Sequence, residues 1–432
     1  MWDYYEGKSL FVTGGSGFLG TAIVHRLLTS TSTLRIYLLC RGGIDKLRAR
    51  WMEWLPASSV ESFCSSNRLI VFDGDILLPD LGLSEEILDI IRDNASTIIH
   101  AASSINLRSP LSKLFGSIVD ASDKMVDLAL TCKRLECFVY VSTAYVNTHL
   151  YPKSDEPDLK IDEEIYELST PSNVLDEVNE VRKRGTSRAY EAENFPWAYA
   201  YAKHLTERLV HHRFMEHTWN SKLLIVRPSI IGPAQCLPFP GYMMPMSSPS
   251  TMLAAALALS PSRKVKIATM KDNSHWTSDE VPVDVVVDRM LCHLAMGTSG
   301  CIHAVSGIKS RIVFDEWRES LMKLRRIPWG LHPHPIKGDW KSRNQHPIIR
   351  FYAILATSFD FSEDRTTGML QNIASKEPLD LQKEVSDLQL FTKIDMSTSL
   401  PSRVEGIRYV MDQFSRKSEA AKLILLFLYS DF

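Results

Sequence analysis

Tyr199 and Lys203 stand four positions apart in a stretch, Tyr199 to His211, whose spacing predicts a helix, so both side chains share one face. An ammonium beside a phenol favours the phenolate and lowers the tyrosine pKa. Such a tyrosine can protonate the oxyanion that forms when hydride reaches a carbonyl. Spacing alone says little, since Tyr4 and Lys8 share it ahead of the first strand, where it can do nothing. Position separates the pairs: Tyr199 begins a helix after the fifth strand-helix unit. A partner hydroxyl belongs at the end of the preceding strand, and Val141-Ser142-Thr143-Ala144-Tyr145 offers two. Facing alternates along a strand and Thr143 lies at its open end, so Thr143 is read as catalytic and Ser142 as a cofactor neighbour. The plainer readings are a turn cap for the hydroxyl pair and a solvated helix face for Tyr199 and Lys203.

Hydride needs a carrier, and the chain opens with a place for one. Thr13-Gly14-Gly15-Ser16-Gly17-Phe18-Leu19-Gly20 lies between a β-rich run and a helical one. Gly14, Gly17 and Gly20 let the turn tighten, the backbone approach a pyrophosphate, and the helix pack on the strand. The helix then offers unpaired N–H groups and its positive dipole end to the phosphates. The residue ending the second strand selects the dinucleotide: a carboxylate suits the ribose hydroxyls of NAD, a base the 2′-phosphate of NADP. Here it is Arg41, with no Asp or Glu beside it, which predicts NADPH through guanidinium–phosphate pairing. Asp75 and Ile76, after the third strand, are placed for the adenine. The small Ala101 and Ala102 let the backbone after the fourth strand pass close to the cofactor.

The elements that must hold these groups follow from periodicity. Ser9 to Val12, Leu34 to Cys40, Leu69 to Phe72, Thr97 to Ile99, Phe138 to Val141 and Leu223 to Val226 read as buried strands. Helical stretches, among them Thr21 to Leu28, Glu85 to Arg92 and Ile118 to Leu130, separate them. Alternating strands and helices predict an α/β fold: a Rossmann-type, doubly wound parallel sheet, with a smaller C-terminal substrate or helical region. The expected division is a cofactor-binding domain over 1–310, with substrate-lobe insertions at 151–195 and 233–280, and a mostly helical domain over 311–432. The insertion at 151–195 is expected over the mouth of the sheet. The one at 233–280 is Pro-rich and reads as irregular through Pro261, whereas Ile312 to Leu324 and Pro401 to Phe414 have helical spacing.

The 432 residues are 45% hydrophobic and carry a formal charge of −2, enough for a sizeable core and without a global field for nucleic acid. The seven cysteines form no Cys-x-x-Cys pair, and the nearest two, Cys132 and Cys137, fit no common zinc pattern, so no metal is expected. Met1 to Lys8 lacks the basic and apolar regions of a secretory leader, and reduced thiols in the cytoplasm are expected. The longest apolar run, Leu423 to Tyr429, is far short of the roughly 20 residues of a spanning helix. It reads as a last core helix or as a shallow membrane foot.

Longer motifs point to one family. Gly7-Lys8-Ser9 through Gly20, Val141 through Asn147, and Tyr199-Ala200-Tyr201-Ala202-Lys203 resemble fatty acyl-CoA reductases, the group that includes the plant male-sterility reductases. So do Val226-Arg227-Pro228-Ser229-Ile230-Ile231-Gly232-Pro233, Pro238-Phe239-Pro240-Gly241-Tyr242 and Val281-Pro282-Val283-Asp284. The resemblance covers about residues 1–300 and thins beyond, where Ser358 to Phe361 and Leu390 to Asp395 look like a diverged C-terminal domain. It implies an extended short-chain dehydrogenase fold, Pro228, Ser229 and Ile231 at the cofactor, and Arg227-Pro228 backing the nicotinamide. It also implies reduction of an acyl-CoA or acyl-carrier-protein thioester to aldehyde, or on to alcohol, with Thr143, Tyr199 and Lys203 at the oxyanion. Phe195-Pro196-Trp197-Ala198 departs from the Pro-Asn-Thr often found before the tyrosine, and Ser247 to Leu259 matches poorly, so no acyl preference is carried over. Alternatives are a free-standing thioester reductase acting on a carrier-bound polyketide or peptide, a ketone, sterol or sugar-nucleotide dehydrogenase, and a silent NADP-binding regulator. The basic run Arg182-Lys183-Arg184 with Arg188 suits CoA phosphates or an acidic carrier, against plain solvated charge.

Overall fold

The computed structural model describes residues 1–169, 173–217, 221–258, 264–271, 277–313, 332–350, 352, 357–376, 379–393 and 396–416. The first half alternates as expected: β1 Ser9–Thr13, α1 Phe18–Ser30, β2 Arg35–Cys40, α2 Gly43–Met52, α3 Ala57–Cys64, β3 Leu69–Asp73, α4 Glu85–Asn94, β4 Thr97–His100. Then come α5 Leu111–Phe115, α6 Ala121–Thr131, β5 Cys137–Val141, β6 Leu159–Ile161, α7 Val174–Arg184, α8 Arg188–Ala192, α9 Ala198–Glu216 and β7 Lys222–Pro228. The remainder holds β8 Ile230–Gly232, α10 Pro249–Ala258, β9 Lys264–Thr269, β10 Thr277–Ser278, β11 Glu280–Pro282, α11 Val283–Ala295 and β12 Gly300–Ala304. It closes with β13 Ile312–Val313, β14 His332–Lys337, β15 Phe359–Phe361, α12 Asp364–Lys376, α13 Leu379–Ser386 and α14 Met396–Ser415.

Seven of these strands form one sheet in the order β12-β7-β5-β4-β1-β2-β3, every neighbouring pair parallel. Their near-continuous apolar runs belong there, because a parallel sheet is covered on both faces. Parity sorts the side chains. Val12, Leu38, Val139 and Val226 pack with α1, α2 and α11, while Phe11, Leu39, Tyr140 and Ile225 pack with α4 and α6. Each fully buried Leu or Val contributes roughly 1.5–3 kcal/mol. The strand order reverses between β1 and β4, which opens a crevice beyond their carboxyl ends. α1 is pinned against α11 by Arg26, whose Nε and Nη2 donate to Asp288 at 2.8 and 3.0 Å.

Three expectations concern the later chain. The 151–195 insertion forms β6, α7 and α8, and α7 packs on α5 and α9. The stretch after Gly232 is less irregular than its prolines imply. Leu253, Ala254, Ala255 and Leu257 are buried on α10, which packs against α14. Beyond residue 310 the described elements are mostly helical, and β13, β14 and β15 pair with β10, β9 and β6, so each completes a ladder begun earlier in the chain. Of the expected helix at Ile312 to Leu324, the first two residues are β13 and the rest lies outside the described residues, as does the run Leu423 to Tyr429. The helix expected over Pro401 to Phe414 lies within α14. Among the described residues no helix is long and apolar enough to cross a membrane.

Candidate active site

A cavity of about 370 Å³ opens beyond the carboxyl ends of β1, β4, β5 and β7. Gly14, Gly17, Phe18, Leu19 and Gly20 line it from the first turn, and Ala101 from the segment after β4. Ser142 and Thr143 follow β5, Tyr199 and Lys203 project from α9, and Pro228, Ser229 and Ile231 close the end of β7.

The first turn is bare backbone for a steric reason. Gly14 has φ +81°, and a Cβ there would meet Ala102 N at 2.8 Å; a Cβ on Gly20 would meet Gly14 O at 2.1 Å. No side chain caps α1, so its first amides face the cavity without an intrahelical acceptor. That cradle fits a dinucleotide pyrophosphate. Other expected cofactor residues stand behind it or beside it. Thr13 is buried, its hydroxyl bonded to His100 Nδ1 at 2.8 Å and accepting from Ala102 N at 3.2 Å, so it joins the two loops. The Ser16 hydroxyl reaches the Cys40 thiol. Arg41, its side chain 78% exposed, holds its guanidinium 3.9 Å from Asp75, and Ile76 packs against the α4–α6 core. Trp51 braces the turn from below, donating to Gly15 O and Thr21 Oγ1, each at 3.1 Å.

Thr143, Tyr199 and Lys203 converge on one wall. Thr143 Oγ1 accepts from Tyr145 N at 3.3 Å, as a turn cap does, and also reaches the Tyr199 phenol. The hydroxyl is therefore a turn cap that also faces Tyr199. Ser142 Oγ is buried without a hydrogen-bond partner among the described residues. Lys203 Nζ donates to Val141 O at 2.8 Å and sits 4.8 Å from the centre of the Tyr140 ring. Burial lowers the Lys203 amine to about 7 against the opposing pull of Glu207. Tyr199, partly exposed toward the cavity, is pushed above its ordinary value by desolvation, with Thr143 opposing. The expected lowering of the phenol by Lys203 is absent: that amine is desolvated and directed to a backbone carbonyl. Arg227 also departs from expectation. Odd positions on β7 face α9, so its guanidinium forms a buried pair with Glu207, Nε–Oε1 3.0 Å and Nη2–Oε2 2.6 Å, and only Pro228 reaches the cavity.

Several wall residues carried no sequence signal. Ile105, Leu107, Trp197, Leu253 and Tyr352 supply apolar surface, and Ser250, Thr277, Ser278 and Glu280 a polar strip. Trp197 and Glu280 adjoin quoted motifs without belonging to them; Leu253 and Tyr352 arrive by long-range packing. The basic run contributes nothing to the wall. Arg182 bonds Asp120 at 2.8 Å, and Arg188 lies 3.6 Å from Glu180, which Arg184 also meets at 3.9 Å.

A family model described as Male sterility protein matches residues 12–290. The chain belongs to that family. Its male-sterility relatives include Fatty acyl-CoA reductase 1 of Mus musculus, 30% identical over 303 residues, covering 67% of this chain and 55% of the relative. Fatty acyl-CoA reductase 2 of Homo sapiens is 26% identical over 314 residues, 69% of this chain and 56% of that protein. The chain therefore spans about half the length of the curated relatives it matches. Solved structures extend the likeness of fold. The terminal R domain from the myxalamid PKS-NRPS pathway superposes with a TM-score of 0.59 at 16% identity, over 96% of this chain and 92% of that one. The reductase domain of a nonribosomal peptide synthetase from Mycobacterium tuberculosis gives 0.61 at 17%, over 93% and 92%. UDP-glucuronic acid 4-epimerase from Bacillus cereus, in complex with NAD, gives 0.54 at 12%, over 93% and 99%. The fold is thus that of the extended, NAD(P)-binding Rossmann proteins.

Proposed function

We propose that this chain is an NADPH-dependent reductase of acyl thioesters, a fatty acyl-CoA first, yielding the aldehyde and then the primary alcohol. One observation carries the reading: a phenol, an amine and a strand-end hydroxyl share the wall of a cavity that begins at an uncapped glycine turn. The α1 amides would hold the pyrophosphate, Arg41 the 2′-phosphate, Asp75 and Ile76 the adenine end, and Pro228 to Ile231 the nicotinamide end. Bound there, NADPH supplies hydride. Thr143 and Tyr199 then hold the thioester oxygen as it gains charge, and the Tyr199 proton passes to it. The resulting hemithioacetal releases thiol and leaves the aldehyde, and a second round reduces that carbonyl. Lys203 would bind the nicotinamide ribose and keep the Tyr199 ring in place. Residues 1–310 would carry cofactor and catalytic groups, and 311–432 would complete the substrate end.

A carrier-bound thioester is the second reading, favoured by likeness to R domains over nearly the whole chain, whereas the curated relatives match only about two thirds of it. Both readings are tested by NADPH oxidation with long-chain acyl-CoA and with acyl-phosphopantetheinyl carrier protein, with identification of products. Turnover of the CoA ester supports the first reading; strong preference for the carrier supports the second. Tyr199→Phe is expected to lose about a hundredfold or more in rate while NADPH affinity stays nearly intact. Undiminished turnover by that variant would remove the catalytic assignment.

A further inference from the structure

Glu280 is the only carboxylate in the described wall of the cavity. β11 holds it opposite Ile230 of β8, and its side chain lies over Gly232, where a Cβ would meet Oε1 at 2.2 Å. The side chain is 1% exposed. Arg403 of α14 donates to Oε1, while Oε2 is buried and has no hydrogen-bond partner among the described residues. A buried carboxylate oxygen left unpaired costs stability that an apolar residue would not. This position borders the reaction site: Tyr145, two residues beyond Thr143, lines the same cavity and donates to the neighbouring Asp279 O at 3.1 Å.

We infer that Glu280 Oε2 is a specificity group for the acyl chain, accepting a hydrogen bond from a hydroxyl substituent, so that the substrate is a hydroxyacyl thioester rather than a plain alkanoyl one. Arg403 already balances the carboxylate charge, so a neutral O–H donor suits Oε2 better than an ammonium, which would stand beside the guanidinium. Ser278 and Thr277, in the same strip of wall, supply further hydroxyls beside it. The inference rests on the thioester reading above.

The test uses the full chain loaded with NADPH, given unsubstituted, β-hydroxy and δ-hydroxy acyl-CoA of one length. Affinity is read from quenching of bound-NADPH fluorescence and turnover from product. At least one hydroxyacyl ester is expected to exceed the unsubstituted one by about tenfold in affinity or kcat/KM, the size of one charge-assisted hydrogen bond. Glu280→Leu is expected to bring them within about twofold and leave the Kd for NADPH unchanged. Glu280→Gln keeps the shape should the leucine variant fail to fold, and is expected to lose part of the preference. Equal handling of all esters by the unaltered chain overturns the inference, as does a preference that survives in full in Glu280→Gln. Loss of NADPH affinity with discrimination intact also overturns it, by assigning Oε2 to the cofactor. Tighter binding of hydroxyacyl-CoA without reduction would overturn only the reductase reading, reduction without preference only this one, and failure of every ester to bind both.

Discussion

Burial acts on Lys203 and Tyr199 in opposite directions on the pKa scale and to the same chemical end. It brings the amine down to about 7 and pushes the phenol up, so both favour their neutral forms. A neutral phenol is the form that donates a proton in reduction. The amine near 7 has a different consequence. An anionic dinucleotide beside Lys203 would favour the ammonium, so NADPH binding should take up a proton, and affinity should fall as pH rises through about 7. Calorimetry in buffers of different ionisation enthalpy reads that proton directly, and Lys203→Met should abolish it. Arg41, mostly exposed and 3.9 Å from Asp75, is placed to meet a phosphate. Arg41→Glu is expected to weaken NADPH by about tenfold or more while changing NADH little. Equal weakening of both dinucleotides would exclude the 2′-phosphate role. Groups at strand ends were legible in the sequence because parity and motif fix where they point. Tyr352 and Leu253 were not, since nothing local marks a residue brought to the wall by packing.

The helix that carries Tyr199 and Lys203 is held at two places by buried ion pairs. Glu207 of α9 grips Arg227 of β7, and Arg208 of α9 grips Glu177 of α7 through Nη1 and Nη2 at 2.7 and 2.6 Å. All four residues are buried. Removing one partner strands the other charge, so Glu207→Ala is expected to cost about 3–5 kcal/mol, measured by chemical denaturation. Replacing both, as Glu207→Leu with Arg227→Met, should recover most of that loss. A single variant as stable as the parent would show that α9 is held by apolar packing alone. The same network ties the 151–195 insertion down: Glu177 pairs with Arg208, and the apolar face of α7, Val178 and Val181, is buried. The α10 region was less legible. Prolines dominate its approach, but the Leu and Ala positions gain enough from packing on α14 to form a regular helix.

Across the whole molecule, the parallel sheet was legible because its strands are apolar throughout, while the interleaving of β13, β14 and β15 with β10, β9 and β6 depends on pairings no local pattern encodes. Buried histidines are spread through the fold. His100 ends β4 and bonds Thr13, His293 of α11 bonds Thr366 of α12 at 3.0 Å, His303 of β12 bonds Ser362 O at 2.9 Å, and His149 packs against Phe195. Burial lowers all four, to about 3 for His100, His293 and His303 and about 4 for His149. The unfolded chain binds these protons near 6.5, so the native state binds fewer between that value and the folded one. Stability is therefore complete above about 6.5 and is lost as pH falls toward 3–4, at about 1.4 kcal/mol per unit for each histidine. Buried Asp279 and Asp288, held above the usual carboxylate range by burial, act with the opposite sign, so a single-residue difference is the cleaner measurement. Neither ring nitrogen of His149 has a hydrogen-bond partner among the described residues, and Phe occupies nearly the same volume. His149→Phe is expected to move the acid-unfolding midpoint, followed by circular dichroism, to lower pH while leaving stability at neutral pH within about 1 kcal/mol. An unchanged midpoint would mean that this imidazole already finds a proton in the folded state, and that acid opens the molecule elsewhere.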